Sequence, residues 1–190
     1  MRKHIGWVAG AAAAVLVAAG AVTYAVAEDD GSGAARTPAA DSADAGFARD
    51  MAVHHQQAVE MSFIVRDRTK NEEVRRLAYD IAQTQANQRG MLLGWLDLWE
   101  LPKVSAKPPM SWMGMGDMPE RGDGSLMPGM ATDTEMRKLG TLNGKQAEIF
   151  YLQLMTDHHK GGIHMAEGCV AKCHVGVEKQ LAQGMVDAQQ

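Results

Sequence analysis

The chain has 190 residues, which favours a single domain, and 46% of them are hydrophobic, which is ample for a core. Nineteen Lys and Arg stand against 23 Asp and Glu, a formal net charge of −4, so the composition lacks the basic surface that nucleic-acid binding requires. The 14 Met against three Phe and three Tyr make flexible sulfur side chains unusually frequent. We therefore expect no nucleic-acid partner.

The N-terminal 27 residues have the three parts of an export signal. A positively charged start at residues 2–4 precedes an apolar run without charge at residues 5–26, and residues 25–27 read Ala-Val-Ala, a cleavage pattern. The run is also long enough to cross a bilayer, so an N-terminal membrane anchor at residues 5–26 is the alternative to cleavage. Either way the positive start stays inside, and the rest is predicted to be extracytoplasmic, secreted or anchored facing outward.

A disordered linker and a helical domain are predicted to follow. Residues 28–43 are rich in Gly, Ser, Ala and Asp, a composition typical of a linker. Apolar residues then recur at helical spacing over residues 44–190. They predict helices over about 45–68, 71–99, 133–140, 145–172 and 175–190. The fold class is all-α, a four-helix bundle built from two duplicated helical hairpins. Its last helix is expected to be short or truncated, because it stops about 14 residues before its counterpart in the first hairpin.

The first helix of each hairpin carries the same phrase, M-x-x-H-H-x-x-small-x-x-M. The copies lie at residues 51–61 and 155–165, and the match continues without a gap at Leu77 and Leu181. A match of this kind indicates an internal duplication. On a helix the first Met, the first His, the small residue and the last Met share one stripe, with the second His at its edge. Two such helices can aim their Met and His side chains at one seam.

Thioether sulfur and imidazole nitrogen together favour a soft metal ion, Cu(I) above all. The predicted copper ligands are Met51, His54, Met61, Met155, His158 and Met165, with His55 and His159 as auxiliary ligands. The alternative is that the methionines only fill a helical core and that the histidines are hydrogen-bonded core residues. Gln85 and Gln88 interrupt the inward stripe of the second helix, and they either bond the histidines or satisfy each other.

A Met-rich loop at residues 103–131 joins the two hairpins. Exposed thioethers gain nothing in packing and are prone to oxidation outside the cell, so the loop is a candidate source of accessory copper ligands. Those candidates are Met113, Met115, Met118, Met127 and Met130. The alternative is a loop that wraps the bundle and buries its methionines against it.

Cys169 and Cys173 are the only cysteines. Outside the cytoplasm an even pair favours a disulfide. A separation of four residues is awkward within a continuous helix but feasible at a helix end, where we place them. A thiolate metal site is the alternative. The spacing of Cys169, Cys173 and His174 is one residue too long for haem attachment.

The duplicated phrase, with Met127-Pro128-Gly129-Met130 between its copies, resembles the bacterial family known as domain of unknown function 305. The resemblance covers about residues 45–190 and is specific, because three motifs occur in the same order. It implies a ferritin-like helical bundle, export, and a link to copper binding and copper tolerance in some members. The family tends to carry an inward Glu and Met where this chain has Gln88 and Leu92, so no ligand is predicted from the second helix.

The function we predict is the binding of copper by an exported protein that buffers or delivers the ion. We predict that it is not an enzyme, because no acid/base or nucleophile set accompanies the ligands. One alternative is a copper- or iron-dependent oxidoreductase, and another is a metal-free helical interaction module. The predicted partner is the metal ion. The candidate protein partners are a second copy of the chain, which would form a homodimer, and a copper-handling protein.

Overall fold

A computed structural model of the chain describes residues 37–117 and 122–189. The predicted export signal or anchor, most of the predicted linker and Met118 lie outside the described residues. Residues 37–42 of the linker are described and form no helix before α1 begins at Ala43. None of the described helices combines the length and apolar composition that a membrane crossing requires.

The described secondary structure is entirely helical, which confirms the predicted all-α class. The helices are α1 (Ala43–Arg68), α2 (Glu72–Leu98), α3 (Asp133–Thr141), α4 (Gly144–Lys172) and α5 (Gly176–Gln189), with one 3-10 turn at Ser111–Met113. Each α-helix begins and ends within two residues of its predicted bounds. The four-helix bundle architecture stays a prediction.

Side chains at the helix starts explain several of these bounds. The Ser42 hydroxyl accepts a hydrogen bond from the third backbone N–H of α1, and the Asn71 side chain accepts from two N–H groups of α2. Thr132 and Glu135 form a reciprocal capping box at α3. Such caps satisfy N–H groups that have no partner inside the helix, and each is typically worth about 1 kcal/mol.

Helix α1 packs along α2 and also contacts α4 and α3, while α4 packs against α5. Two apolar clusters form the core. The Met51 cluster comprises Ala45, Phe47, Ala48, Met51, Ala52, Leu92, Leu96, Met110, Met127, Met165, Ala166, Cys169, Cys173, Ala182, Met185 and Val186. The Met61 cluster comprises Ala58, Met61, Val65, Val74, Ala78, Ala131, Leu139, Tyr151, Leu154 and Met155. Both clusters draw on α1 and α4, so the helices that carry the repeated phrase form the centre of the fold.

The Met-rich loop is bonded to α1 near both of its ends. The Asp50 carboxylate accepts hydrogen bonds from the Met110 backbone N–H at 2.7 Å and from the Trp112 indole N–H at 2.9 Å. The Gln57 amide exchanges two hydrogen bonds with the backbone of Ala131, at 2.9 and 2.7 Å. These hydrogen bonds, partly buried at Asp50 and fully buried at Gln57, hold the loop against the helices at two points.

The Met-Pro-Gly-Met segment of the loop crosses α4 in backbone contact. Gly129 has φ +82°, a conformation that favours glycine. A Cβ atom on Gly161 would lie 2.7 Å from the carbonyl carbon of Pro128 and 3.0 Å from the Cα of Gly129. Because these neighbours are backbone atoms that cannot rotate away, only glycine at position 161 lets the segment come this close to α4.

Candidate metal centre

The two histidine pairs meet where α1 contacts α4. The rings of His54 and His158 face each other with centroids 3.7 Å apart and planes tilted by 35°. The ring centroids of His158 and His159 lie 6.4 Å apart. His54, His55 and His158 are 1–2% exposed, and His159 is half-buried. The paired histidines of the two halves therefore point toward each other and away from water.

A hydrogen bond fixes the tautomer of His158. Its Nε2 lies 2.9 Å from the backbone carbonyl oxygen of His54, and since a carbonyl only accepts, Nε2 carries the proton. In a neutral imidazole the other nitrogen then holds a lone pair. That nitrogen, Nδ1 of His158, is buried and has no hydrogen-bond partner. Its lone pair is therefore unused within the protein, while the other ring nitrogen is held by a backbone carbonyl.

The rings of His54 and His55 leave all four of their nitrogens without a hydrogen-bond partner. The Pro128 carbonyl lies beside the His54 ring and the Gln88 side chain beside the His55 ring, but neither pair reaches hydrogen-bond geometry. A buried polar atom without a partner costs roughly 1–3 kcal/mol. These nitrogens are therefore the least satisfied polar groups in this part of the fold.

Burial keeps these imidazoles neutral. It lowers the pKa of His54 to about 3, helped by the neighbouring His55, and it lowers the pKa of His55 to about 3, helped by His158. The pKa of His158 is also well below its ordinary value, again through burial and then through His54. At neutral pH no proton competes with another ligand for the ring lone pairs.

Gln85 forms a hydrogen bond with a histidine and not with Gln88. Its Nε2 lies 3.2 Å from Nε2 of His159, and since an amide N–H donates, the His159 nitrogen accepts. The structure therefore supports the first of the two alternatives raised by the sequence. The Oε1 atoms of Gln85 and Gln88 are buried without partners, so the second helix adds unsatisfied oxygen atoms to this region.

The predicted methionine ligands divide into two pairs. Met51 and Met165 belong to one core cluster, and Met61 and Met155 belong to the other. Met51 and Met61 are ten residues apart, about 15 Å along a helix axis, so one ion cannot contact both sulfurs. The Met and His side chains share one face of the helices, but the two methionine pairs lie at opposite ends of that face, with the histidines between them.

Most of the loop methionines are buried against the bundle. Met110 and Met127 are fully enclosed in the Met51 cluster, and Met113, Met115 and Met130 pack against it half-buried. This arrangement matches the second alternative for the loop, in which it wraps the bundle. It also brings four of the five predicted accessory sulfurs to the same cluster as Met51 and Met165, while Met118 lies outside the described residues.

The histidines do not form a preformed three-nitrogen site. Across residues 37–117 and 122–189, the one set of three His, Cys, Asp or Glu donor atoms within 4.8 Å of one another belongs to Cys169, Cys173 and Glu178. A metal ion bound at the α1–α4 contact would therefore need donors besides the histidines, and the methionines of the stripe are the candidates.

Cys169 and Cys173 are joined by a disulfide at the end of α4, with Cα atoms 4.8 Å apart. The bond is feasible because Cys173 is the C-cap of α4, with extended backbone. Glu178, in the first turn of α5, is fully buried beside the cysteines. Burial, together with the neighbouring Asp44 carboxylate, raises its pKa to about 9. Sequence reasoning missed Glu178, because no spacing distinguishes a buried Glu from a solvated one.

Comparison with known proteins identifies the family. Among proteins with curated descriptions, none matches the chain. The crystal structure of a DUF305 protein from Streptomyces coelicolor, described as a "putative secreted protein", is 76% identical, with a TM-score of 0.74 over 80% of this chain and 87% of that chain. A DUF305 fragment from Deinococcus radiodurans is 28% identical, with a TM-score of 0.62 over 77% and 87%. The model of the family described as domain of unknown function (DUF305) matches residues 44–190, and the chain belongs to this family.

Proposed function

We propose that the protein binds Cu(I) outside the cytoplasm at the contact of α1 with α4, and that it buffers or delivers the ion without turning over a substrate. The observation that carries this proposal is the group of buried imidazole nitrogens without partners, above all the lone pair on Nδ1 of His158. A bound cation would satisfy several of these atoms at once and would offset the cost of burying them.

The surroundings of the histidines favour a soft monovalent ion. The side chains next to them on the helical stripe are methionines, and Met51 and Met155 each lie one helical turn from a facing histidine. Thioether and neutral imidazole carry no charge, so they leave the full charge of the ion uncompensated. Burying one positive charge in such a site is far less costly than burying two. Cu(I) combines the single charge with a preference for these ligands.

The ligands we assign form two neighbouring positions related by the duplication. Met51 and Met165 supply the sulfurs at one end of the histidine group, and Met61 and Met155 supply them at the other. His54 and His158 lie between the pairs, with His55 and His159 as auxiliary ligands. Two positions so close together would suit a protein that passes an ion on rather than one that stores it permanently.

Met130 offers a route between these positions and solvent. It packs against the Met51 cluster and also lines an open cavity of about 680 Å³ between the loop and α4. Asp157, Lys160 and His164 line the same cavity. A half-buried methionine that packs against the core and lines an open cavity can accept the ion from outside and present it to the buried ligands. This is the accessory role that we assign to the loop methionines.

Two independent observations support an extracytoplasmic location. The first 27 residues have the composition of an export signal, and the 76% identical protein from Streptomyces coelicolor is described as secreted. Cu(I) bound by neutral ligands would be retained there without competition from the thiols of the cytoplasm.

Anaerobic titration with Cu(I) against a competing chromophoric chelator tests the proposal. We expect the oxidised protein to take up at least one equivalent, and we expect replacing His54 and His158 together by Ala to weaken the tightest binding by about 100-fold or more, since even indirect ligand partners cost 10–100-fold. A matched control is His174→Ala, an exposed histidine just after α4 that does not line the cavity, which should leave the affinity unchanged.

Circular dichroism of the same variants separates ligand loss from unfolding. Replacing two buried rings leaves a cavity that lowers stability, but both apolar clusters keep all of their residues, so the double variant should keep its helicity. Failure of the wild-type protein to take up Cu(I), or equal affinity in the double variant and the control, would refute the proposed site.

A further inference from the structure

A second group of buried donor atoms lies at the junction of α4 and α5. Each of Cys169, Cys173 and Glu178 offers one atom, and these three atoms lie within 4.8 Å of one another. All three residues are buried, with Glu178 fully inaccessible to solvent. None of the histidines of the copper site belongs to this group, so it needs an explanation of its own.

The Glu178 carboxyl group is the unusual member. No N–H group donates to either of its oxygens, and the polar group beside it is the Asp44 carboxylate, to which the protonated acid can donate. It is also oriented toward two sulfur atoms, since all three donor atoms fall within one small sphere. Two cysteine sulfurs and a buried carboxyl group this close together have the donor composition of a metal site.

The chain holds this arrangement by a separate set of bonds. The Asp44 carboxylate accepts hydrogen bonds from the backbone N–H groups of His174 at 2.8 Å and Val175 at 2.7 Å. These bonds tie the α4–α5 connection to the start of α1. They do not involve the sulfurs, so the connection that leads into Glu178 is held to α1 independently of the disulfide.

We propose that reduction of the disulfide converts Cys169, Cys173 and Glu178 into a binding site for a divalent ion of the zinc class. Two thiolates four residues apart at a helix end project to the same side, and the carboxylate approaches them from the next helix. Two sulfurs and one carboxylate oxygen are a donor set that zinc accepts, with its fourth position left for water.

The redox step balances with a dithiol as the reductant. The dithiol gives two electrons and two protons to the S–S bond, which becomes two thiols, while the dithiol becomes its own disulfide. A divalent ion then displaces the two thiol protons and the carboxyl proton and forms two bonds to sulfur and one to oxygen. In the oxidised protein the sulfurs are bonded to each other and carry no thiolate, so the site is closed to the ion.

Charge favours a divalent over a monovalent ion at this place. Three anionic donors in a buried site leave one negative charge with Zn²⁺ and two with Cu(I), and an uncompensated buried charge is costly. The Cys/Glu group is therefore expected to prefer a divalent ion, whereas the neutral Met and His ligands between α1 and α4 are expected to prefer Cu(I).

Zinc uptake by the full chain in both redox states tests the proposal. The measurement is made in the variant in which His54 and His158 are both Ala, so that uptake at the histidines is not counted. After reduction with dithiothreitol and its anaerobic removal, we expect one equivalent of Zn²⁺ per chain by competition with a chromophoric chelator. The oxidised protein should take up none. Co²⁺ in place of Zn²⁺ should give thiolate-to-metal charge-transfer absorption.

Further variants assign the ligands. Adding Cys169→Ser should abolish uptake, and adding Glu178→Gln should weaken it by about 10–100-fold. Glu167→Gln, at an exposed position on α4, should change nothing. Equal zinc uptake by the oxidised and reduced protein, or equal affinity in the Glu178 and Glu167 variants, would overturn the proposal.

Thermal unfolding of the reduced protein provides a test that does not rely on a folded variant. Zinc should raise the unfolding temperature of the reduced protein and leave that of the oxidised protein unchanged, because only the reduced form binds the ion. A reduced protein that gains no thermal stability from zinc would also contradict the site.

Discussion

Replacing His54 by Gln should make the protein less sensitive to acid. His54 is 1% exposed, and its pKa of about 3 lies below the value of 6.5 that it has when exposed. Between these two pH values the unfolded chain binds a proton at His54 that the folded chain does not. The free energy of unfolding is therefore highest above pH 6.5 and falls as the pH drops, by about 1.4 kcal/mol per pH unit for this one residue.

The wild-type slope contains terms of both signs. His55 and His158 have lowered pKa values and act in the same direction as His54. Glu178 acts in the opposite direction, because its pKa of about 9 lies above the value of 4.5 in the exposed state, so the folded chain holds the proton that the unfolded chain releases. Burial also lowers the pKa of His159, which adds to the histidine side, and raises the pKa of Asp50, which adds to the carboxyl side. The histidine terms outnumber the carboxyl terms, so the free energy of unfolding falls as the pH drops from about 6 to about 5.

Urea unfolding followed by circular dichroism at several pH values between about 5 and 7 measures these slopes. About 1.4 kcal/mol per pH unit from one residue is measurable against the roughly 5–15 kcal/mol that stabilises an ordinary domain. The His54→Gln slope should be smaller than the wild-type slope by about 1.4 kcal/mol per pH unit, and the exposed control His164→Gln should match the wild type. Identical slopes for His54→Gln and the wild type would mean that His54 is protonated in the folded protein, which would refute the neutral histidine group.

Three further changes test other parts of the fold. Gly161→Ala should cost about 1–3 kcal/mol, because its methyl group meets the backbone of the Met-Pro-Gly-Met segment, whereas Gly94→Ala, with open space around it, should be neutral or stabilising in urea unfolding. Gln57→Ala should lower the free energy of unfolding by about 1–3 kcal/mol, because it leaves two buried backbone groups unpaired. Gln56→Ala is its control, and equal unfolding midpoints of the two variants would contradict the role of Gln57 in anchoring the loop. The unfolding temperature of Glu178→Gln should rise relative to that of the wild type between about pH 5 and pH 8. The reason is that the protonated Glu178 stabilises the wild type fully only below pH 4.5, and this contribution is lost toward pH 9. A temperature difference that does not change with pH would argue against a buried neutral acid.

The helices were predictable because their signals are local. Side-chain caps such as Ser42 and Thr132 and apolar residues at helical spacing fix where a helix begins and which face is buried. The duplicated phrase added a tertiary prediction, since two identical stripes imply two faces that can meet. In the structure His54 and His158 do face each other across α1 and α4.

The position of a side chain along the helix axis limits which ligands can reach one ion, and the predicted single ligand set did not take this into account. A helical stripe specifies direction, but each residue also adds about 1.5 Å of rise. Met51 and Met61 therefore belong to different clusters even though they share a stripe. This division was available from the spacing of the phrase alone.

Contacts between distant segments were beyond prediction from a single sequence. Gln57 bonds the backbone of Ala131 across 74 residues, and no local pattern marks a polar residue on a helix as a loop anchor. Glu178 is buried because the turn before it is bonded to Asp44 across 130 residues. Such partners are set by how the elements pack, so they become visible only in three dimensions.

X-ray absorption at the copper edge of the Cu(I)-loaded, oxidised full chain tests the central claim most directly. The account predicts a coordination shell that contains both imidazole nitrogen and thioether sulfur. When His54 and His158 are both replaced by Ala, the imidazole contribution should fall to at most that of the auxiliary His55 and His159. A shell of sulfur alone that is the same in the wild type and this variant, or a shell of nitrogen and oxygen without sulfur, would contradict it.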